Sequence, residues 1–459
     1  MDVAETQLFL DDEAIESHTR VQRVIHQPQR FGPNPILRPD RPWEGNCLCL
    51  YGTVLSRPDD GRYQIYYQTF NKVPPPENAY VCYATSEDGL RWEKPEIGDV
   101  PYRGSTRNNI VLAGFHGGLD SPSVILDPDD PDPPRRYKLL AYGRAAAGVK
   151  GGLYAAFSAD GEHWTARPEM VAPSVGDRTN VMLDAGQPRP YVAYTRRNTM
   201  MRDHGRRTVY RADSADFLSW SDPQLALAPD LADSHDIQFY GFSAFRYGSV
   251  YVGMIQVLHS REDVLDIELA VSRDNVTWKR VEPRRTFFPR GRGDAWEGAW
   301  ISVASNPPIE RDGRLWFYYE GRNAAHGQVW PFPRGAIGVA MLRQDGFASL
   351  EAGPCEGHVT TKPFAWPGGR LRVNLNCRAG VGVTDGGQQM GFARLEILDD
   401  AGNPVPGFRR DECTLFRGDN LDHEFEWAGG RSLDALAGKA IRLRFWLVNT
   451  SLYAFRAQP

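Results

Sequence analysis

One short pattern, S-x-D-x-x-x-W, is written four times along this chain of 459 residues. It reads SEDGLRW at 86–92, SADGEHW at 158–164, SADFLSW at 214–220 and SRDNVTW at 272–278. Two alternating, aromatic-rich runs precede each copy, as YQIYYQTF and AYVCYATSEDG precede the first. The same pair of runs returns a fifth time in RLWFYYEGR and GAIGVAMLRQDGFASL, where Asp345 is kept and the tryptophan is lost. A unit of paired strands is therefore repeated five times.

Repeats of this size favour a β-propeller. The copies begin roughly 55 to 70 residues apart, which is enough for four short antiparallel strands joined by turns. The 45 glycines and 34 prolines are typical of a chain with many such turns. Ser and Asp side chains hydrogen-bond turn backbone, and a tryptophan fills the space between neighbouring blades. We therefore interpret the repeated aspartates as structural and predict an all-β fold with a five-bladed propeller over residues 41–350.

The two ends of the chain lie outside the repeat. Residues 351–459 alternate in short runs such as GRLRVNLNC and AIRLRFWLVN, separated by Gly, Asn and Pro turns, which predicts a β-sandwich domain. This domain is either a sugar-binding module or a packing domain that covers the propeller, and the absence of a recognisable aromatic platform favours packing. Residues 1–40 are predicted to be an extension that packs on the propeller or lends it a strand.

Charge and composition exclude several classes of partner. A net charge of −5 without any basic run argues against nucleic acid and anionic membranes. The N-terminus MDVAETQLFLDDEAIESH lacks the pattern of a secretory leader, and no apolar run could span a bilayer, so we expect a soluble, cytoplasmic protein. The six cysteines show no C-x-x-C spacing and are interpreted as free thiols. The sequence thus identifies no metal ligands and no cofactor, and it leaves open both the oligomeric state and a structural metal in the channel.

An acid stands a few residues upstream of each run that we interpret as an innermost strand. These acids are Glu44, Asp120, Asp177, Asp236 and Glu297. Corresponding positions in the blades of a propeller face one end of its central channel. Carboxylates gathered in one pocket repel, so their pKa values separate and an acid can coexist with a base or nucleophile. Cleavage of a glycosidic bond needs such a pair, and the five acids are our catalytic candidates, with a turn role as the alternative for any one of them.

Aromatic and polar side chains near these acids are candidates for binding a sugar, because aromatic faces stack on sugar rings and polar groups bond hydroxyls. The candidates are Trp43, Arg178, Asn180, His235, Gln238, Tyr240, Trp296, Tyr319, Glu320 and Arg322. Core packing is the alternative for Trp43 and Trp296. Tyr318 and Tyr319 alternate on one strand, so only one of them can face the channel.

The repeats and the sequence DSPSV at 120–124 resemble the five-bladed propeller glycoside hydrolases of families 32, 43, 62, 68 and 117, over roughly residues 41–350. The resemblance implies that Glu44 is the nucleophile or base, Asp120 the transition-state stabiliser and Asp177 the proton donor. The chain departs from the family pattern, with Glu44 in place of an aspartate and Asp177 in place of a glutamate. Glu297, flanked by tryptophans in WEGAW, is the second candidate for proton donor because its neighbours would exclude water.

The resemblance implies a hydrolase acting on an oligo- or polysaccharide, furanosides included. A non-catalytic carbohydrate-binding or scaffold propeller is the alternative. An acid before every inner strand favours the enzyme, because a scaffold needs no such set.

Overall fold

β-Strands are the main secondary structure of the computed structural model, which describes residues 2–70, 79–115, 118–145, 150–173, 176–201, 204–328, 334–377 and 391–458. The helical segments in these ranges are three short 3₁₀ turns, Pro133–Arg135, Arg410–Glu412 and Leu433–Leu436. Within the same ranges no helix has the length and apolar character needed to cross a membrane.

Five antiparallel blades follow one another along the chain. Blade one contains Cys47–Cys49, Val54–Ser56, Tyr63–Phe70, Val81–Ser86 and Ile110–Leu112. Blade two contains Leu119–Leu126, Tyr137–Gly143, Gly152–Ser158 and Thr165–Pro173, and blade three contains Thr179–Leu183, Tyr191–Met201, His204–Ser214 and Gln224–Leu227. Blade four contains Ile237–Tyr247, Val250–His259, Val264–Ser272, Lys279–Arg280 and Thr286–Phe288. Blade five contains Trp300–Val303, Ile309–Arg311, Arg314–Arg322, Gly335–Arg343 and, at its outer edge, Gln29–Arg30.

Hydrogen bonds between successive blades close the five units into a ring. These bonds join Val124 N to Thr53 Oγ1, Val181 N to Ser123 Oγ, Asn180 Nδ2 to Ser243 Oγ, Gln256 Nε2 to Ser302 Oγ, and Ser305 N to Gly52 O, all at 2.9–3.2 Å. The last bond connects blade five to blade one. The predicted all-β fold with a five-bladed propeller is confirmed.

The repeated signature forms a turn at the end of a long strand in each of the first four blades. These strands are Val81–Ser86, Gly152–Ser158, His204–Ser214 and Val264–Ser272. In the first copy, Asp88 Oδ1 accepts the backbone N–H groups of Leu90 and Arg91, each at 2.8 Å, and the Ser86 hydroxyl accepts the N–H of Gly89. The tryptophan of the turn packs toward the preceding blade, as Trp164 does against Tyr66, with ring centres 5.8 Å apart. The structural interpretation of these residues is confirmed.

Two further sheets pack against each other as a sandwich, and both contain strands from each end of the chain. One sheet holds Gln7–Leu8, Val21–Ile25, Ala348–Ala352, Arg370–Asn376, Asp419–His423 and Thr450–Gln458. The other holds Ile15–Thr19, Gly357–Thr361, Phe364–Ala365, Phe392–Asp399 and Ala440–Val448. The N-terminal residues therefore lend one strand to blade five and three to the sandwich, a destination that their sequence does not reveal. The limits 1–40, 41–350 and 351–459 stay a prediction.

Candidate active site at the mouth of the propeller channel

A cavity of about 330 Å³ opens where the innermost strands begin, and all five blades contribute to its wall. Its lining residues are Cys47, Cys49, Tyr51, Gln68, Phe70, Asp120, Arg144, Asp177, Tyr240, Arg322, His326, Gly327 and Gln328. Two of the five predicted acids and two of the predicted binding residues are among them.

Asp120 reaches the cavity through an irregularity in the inner strand of blade two. The strand register shifts between Asp120 and Ser123, and Ser121 has a φ of 50°, a left-handed conformation that is uncommon outside glycine. The Ser121 N–H donates to Gln68 Oε1 of blade one at 2.9 Å, which fixes the bulge. Arg144 forms an ion pair with the Asp120 carboxylate. Burial, together with the charge of nearby Asp177, raises the pKa of Asp120 in spite of Arg144.

Asp177 is the more open of the two acids. It directly precedes the inner strand of blade three, and 34% of its side chain is exposed, compared with 13% for Asp120. Arg196 forms an ion pair with Asp177 and lies over the ring of Tyr240, with its guanidinium 5.0 Å from the ring centre. One cavity thus holds an enclosed carboxyl whose pKa is raised and a more accessible carboxylate.

Arg178 is buried in the channel and does not line the cavity. Its guanidinium donates to Gln256 Oε1 at 3.1 Å and to Ser302 Oγ at 3.3 Å, and lies 4.4 Å from the centre of the Tyr51 ring. Burial lowers its pKa. The residue ties blades three, four and five together, so the structure gives it a packing contact in place of the predicted sugar contact.

Arg322 and Glu320 form a buried pair on strand Arg314–Arg322 of blade five. The carboxylate accepts the backbone N–H of Leu50 at 2.9 Å and pairs with Arg322, which also donates to the Tyr51 hydroxyl at 2.8 Å. Burial raises the pKa of Glu320, although Arg322 opposes this effect. Of these two predicted residues, Arg322 lines the cavity, and Glu320 does not line it but forms the ion pair with Arg322.

An aromatic wall faces the two aspartates. Tyr240 packs edge-on to Trp300, with ring centres 5.0 Å apart, and His326 stacks on Trp300 at 5.5 Å. His326 Nε2 lies 3.3 Å from the Tyr240 hydroxyl, and burial lowers the pKa of this histidine. Phe70, with 38% of its surface exposed, adds a second aromatic side chain to the lining.

Three of the five predicted acids do not line this cavity. Glu44 is fully buried and accepts hydrogen bonds from the Tyr67 hydroxyl at 2.6 Å, from the Lys94 ammonium and from two backbone N–H groups. Glu297 is buried between Arg30, with which it pairs, and the Tyr319 hydroxyl, which donates at 3.0 Å. Asp236 accepts the hydroxyl of Ser234 outside the cavity lining. Glu44 and Glu297 are thus each bound by a neighbouring cation and a tyrosine hydroxyl.

Several predicted sugar-binding residues do not line this cavity. Trp43 donates to Asn109 Oδ1 at 2.8 Å, and Trp296 stacks on Tyr319 with ring centres 5.7 Å apart. Asn180 donates to Ser243 in the blade ring. His235 is exposed and stacks on His204, and Gln238 accepts a hydrogen bond from Arg207; neither lines the cavity. The Tyr318 hydroxyl donates to Gly89 O of blade one, the Tyr319 hydroxyl donates to Glu297, and neither tyrosine lines the cavity.

Two of the lining residues, Gln68 and Arg144, are not among those predicted from the sequence. Gln68 lies within YQIYYQTF, a run noted only for its aromatic residues, and Arg144 directly follows the second strand of blade two. Gln68 lies on Tyr63–Phe70 of blade one and Arg144 follows Tyr137–Gly143 of blade two, whereas the repeated acids mark only the innermost strands. The run contains a second glutamine, Gln64, so the sequence does not mark Gln68 as the one that lines the cavity.

A second cavity, of about 530 Å³, lies on the sandwich and is lined by residues such as Arg370, Glu424, Trp427 and Arg431. The Trp427 ring in its wall is buried, so it offers no exposed face for a sugar to stack on. The channel mouth, in contrast, combines two acids with the partly exposed ring of Phe70.

The sequence matches no family model and no curated protein. The chain is similar in structure to several solved proteins. One, from a study of the GH130 family of mannoside phosphorylases and of its glycoside hydrolases that target β-1,2-mannosidic linkages in Candida mannan, is 15% identical over 70% of this chain and 94% of that chain, with a TM-score of 0.47. A thermostable family-43 glycoside hydrolase is 15% identical over 65% and 91%, with a TM-score of 0.45. A β-1,2-mannobiose phosphorylase from Listeria innocua is 12% identical over 69% and 96%, with a TM-score of 0.44.

Proposed function

We propose that the chain is a glycoside hydrolase that cleaves an oligo- or polysaccharide, furanosides included, at the channel mouth. The observation that carries the proposal is the presence of two carboxyl groups, Asp120 and Asp177, in the wall of one cavity lined by all five blades. A pair of carboxyls is the chemical requirement for breaking a glycosidic bond. Tyr240 and Phe70 supply rings that a sugar can pack on, and Arg144, Arg322 and Gln68 supply hydrogen-bond donors for its hydroxyls.

The two acids take different roles in this proposal. Asp120 keeps its proton to higher pH than an ordinary aspartate, because its pKa is raised, and it donates that proton to the leaving oxygen. Asp177, more exposed and balanced by Arg196, acts as the carboxylate that attacks the sugar or activates water. These roles depart from those implied by family resemblance, where Asp120 would stabilise charge and Asp177 would donate the proton.

A non-catalytic carbohydrate-binding propeller is the second candidate. The observation in its favour is that each cavity aspartate already has an arginine partner, Arg144 or Arg196, as in a structural ion pair. In that case the carboxylates would shape the pocket and accept sugar hydroxyls without reacting.

The test is release of aryl alcohol from a panel of aryl pyranosides and furanosides. Asp120→Asn and Asp177→Asn should each lower turnover by the ~10²–10⁴-fold typical of an acid–base group. For Asp120→Asn the loss should be greatest with poor leaving groups and small with acidic phenols, since these need no proton. The wild-type rate should fall as pH rises through the pKa of Asp120, and this alkaline limb should be absent in Asp120→Asn.

Asp236→Asn is the matched control, because it makes the same chemical change at an acid that precedes an inner strand but lies outside the cavity lining. It should retain turnover. Wild-type rates in both cavity variants, at unchanged melting temperature, would reject the hydrolase. Binding of oligosaccharides by calorimetry without any turnover would support the carbohydrate-binding propeller.

A further inference from the structure

Two cysteines and a glutamate converge in the wall of the channel mouth. Cys47 and Cys49 stand two apart on the first strand of blade one, so both side chains point to the same face, and their Sγ atoms are 3.8 Å apart. Glu320 approaches from blade five, and one of its carboxylate oxygens and both sulfurs lie within 4.8 Å of one another. All three residues are buried, yet both cysteines line the cavity, so a small ion can reach them from solvent.

The spacing of the sulfurs matches one edge of a tetrahedral zinc site. With zinc–sulfur bonds of about 2.3 Å and tetrahedral angles, two thiolates on one ion lie about 3.8 Å apart. The two cysteines therefore need no movement to share an ion. Two thiolates and one carboxylate belong to the ligand types that zinc accepts, and three protein ligands leave one position for water.

The charges around the group also fit a divalent cation. When both thiols are protonated, the negative Glu320 and its partner Arg322 cancel. Loss of the two thiol protons adds two negative charges, which one divalent ion neutralises, so binding leaves the local charge unchanged. Arg322 also donates to Cys49 Sγ at 3.3 Å, and hydrogen bonds from neighbouring groups are what orient ligands in metal sites.

We propose that Cys47, Cys49 and Glu320 form a binding site for a soft divalent cation of the zinc type. The sequence gives no warning of it, because C-x-C spacing is too short for a common zinc motif and the third ligand is about 270 residues away in the chain. The proposal concerns metal binding alone and stands apart from the proposed hydrolase activity, so either can fail without the other.

The test uses Co²⁺ as a coloured substitute for Zn²⁺. The full-length protein, reduced and stripped with a chelator, should bind one equivalent of Co²⁺ with a thiolate-to-cobalt charge-transfer band, release two protons per ion and lose the band when Zn²⁺ is added. Cys47→Ala and Cys49→Ala should each abolish the two-thiolate spectrum. Glu320→Gln should keep the band and weaken binding by at least the roughly 10- to 100-fold that loss of a supporting group costs.

Cys82→Ala is the matched control, since Cys82 is another buried cysteine of blade one that lies outside the group. It should bind Co²⁺ as the wild type does. A wild-type protein with both thiols shown to be reduced by mass spectrometry, but no thiolate band, would overturn the proposal. An unchanged band in the Cys47→Ala/Cys49→Ala double variant, with circular dichroism confirming its fold, would overturn it as well.

Discussion

At the scale of single residues, an acid acquires its role from the groups that surround it. Asp120 and Glu297 are both enclosed carboxyls beside an arginine, but Asp120 faces a cavity while Glu297 is held between Arg30 and Tyr319. Glu297 is buried, as its flanking tryptophans predict, but its partners there are Arg30 and Tyr319 and it does not line the cavity. Exclusion of water alone therefore does not identify a proton donor.

The turn aspartates predict how stability depends on pH. Burial works to raise the pKa of Asp274, but the backbone N–H groups of Thr277 and Val276 and the Ser272 hydroxyl lower it from 3.8 to about 2. A lowered pKa in the folded state means that Asp274 contributes stability above pH 3.8, which is lost as pH falls toward about 2. Asp274→Asn should lower the melting temperature at neutral pH and reduce its dependence on pH across that window.

The measurement is the melting temperature of the wild type and of Asp274→Asn over the acidic pH range. Asp222→Asn, an aspartate after the third signature and outside its hydrogen-bonded turn, is the control and should track the wild type. Parallel curves for wild type and Asp274→Asn would contradict the role given to the charge.

At the scale of elements, each blade is fastened to the next through its signature turn. The Tyr66 hydroxyl of blade one donates to Gly161 O of blade two at 2.9 Å, and that of Tyr318 in blade five donates to Gly89 O of blade one at 3.1 Å. Both glycines have positive φ, and a Cβ on either would lie within 2.5 Å of the tyrosine oxygen. The glycine in S-x-D-G thus serves the neighbouring blade as well as its own turn.

Gly161→Ala should therefore destabilise the propeller in two ways, through left-handed strain of about 1–2 kcal/mol and through the clash with Tyr66. Gly186→Ala provides the matched control, because Gly186 has a φ of 87°, close to the 83° of Gly161, but no atom within 4 Å of its added Cβ. Chemical denaturation of both variants measures the two free energies of unfolding. If both variants lose the same free energy of unfolding, then Tyr66 moves away from the added methyl group without destabilising the propeller.

At the scale of the whole molecule, closure of the ring depends on a few buried hydroxyls. Thr53 of blade one shares a hydrogen bond of 2.7 Å with Ser305, which follows the inner strand of blade five, and accepts the N–H of Val124 in blade two at 2.9 Å. A single side chain thus joins three blades, including the first and the last.

Thr53→Val preserves shape but leaves the buried N–H of Val124 without that acceptor, so we expect a loss of about 1–3 kcal/mol in the free energy of unfolding. Thr53→Ser keeps the hydroxyl and should therefore retain most of the free energy of unfolding that Thr53→Val loses. The denaturation midpoint measures both. A neutral Thr53→Val would mean that the inner strands hold the ring closed without this bond.

The repeated local chemistry of the blades can be recognised without the structure. The S-x-D turn completes its hydrogen bonds within a few residues, and the strands before it carry their own alternation, so five blades can be counted from the letters alone. The position of two cavity acids, Asp120 and Asp177, at the start of inner strands follows from the same repeat.

The directions of the side chains and the pairing of distant segments, in contrast, depend on the folded chain. Glu44 turns inward because Tyr67 and Lys94 bind it, whereas Asp120 faces the cavity because of a bulge that Gln68 of another blade stabilises. The N-terminal strands pair with partners more than 300 residues away. These outcomes depend on hydrogen bonds and burial between segments that are remote in the chain, and the local pattern of one segment contains no information about its partner.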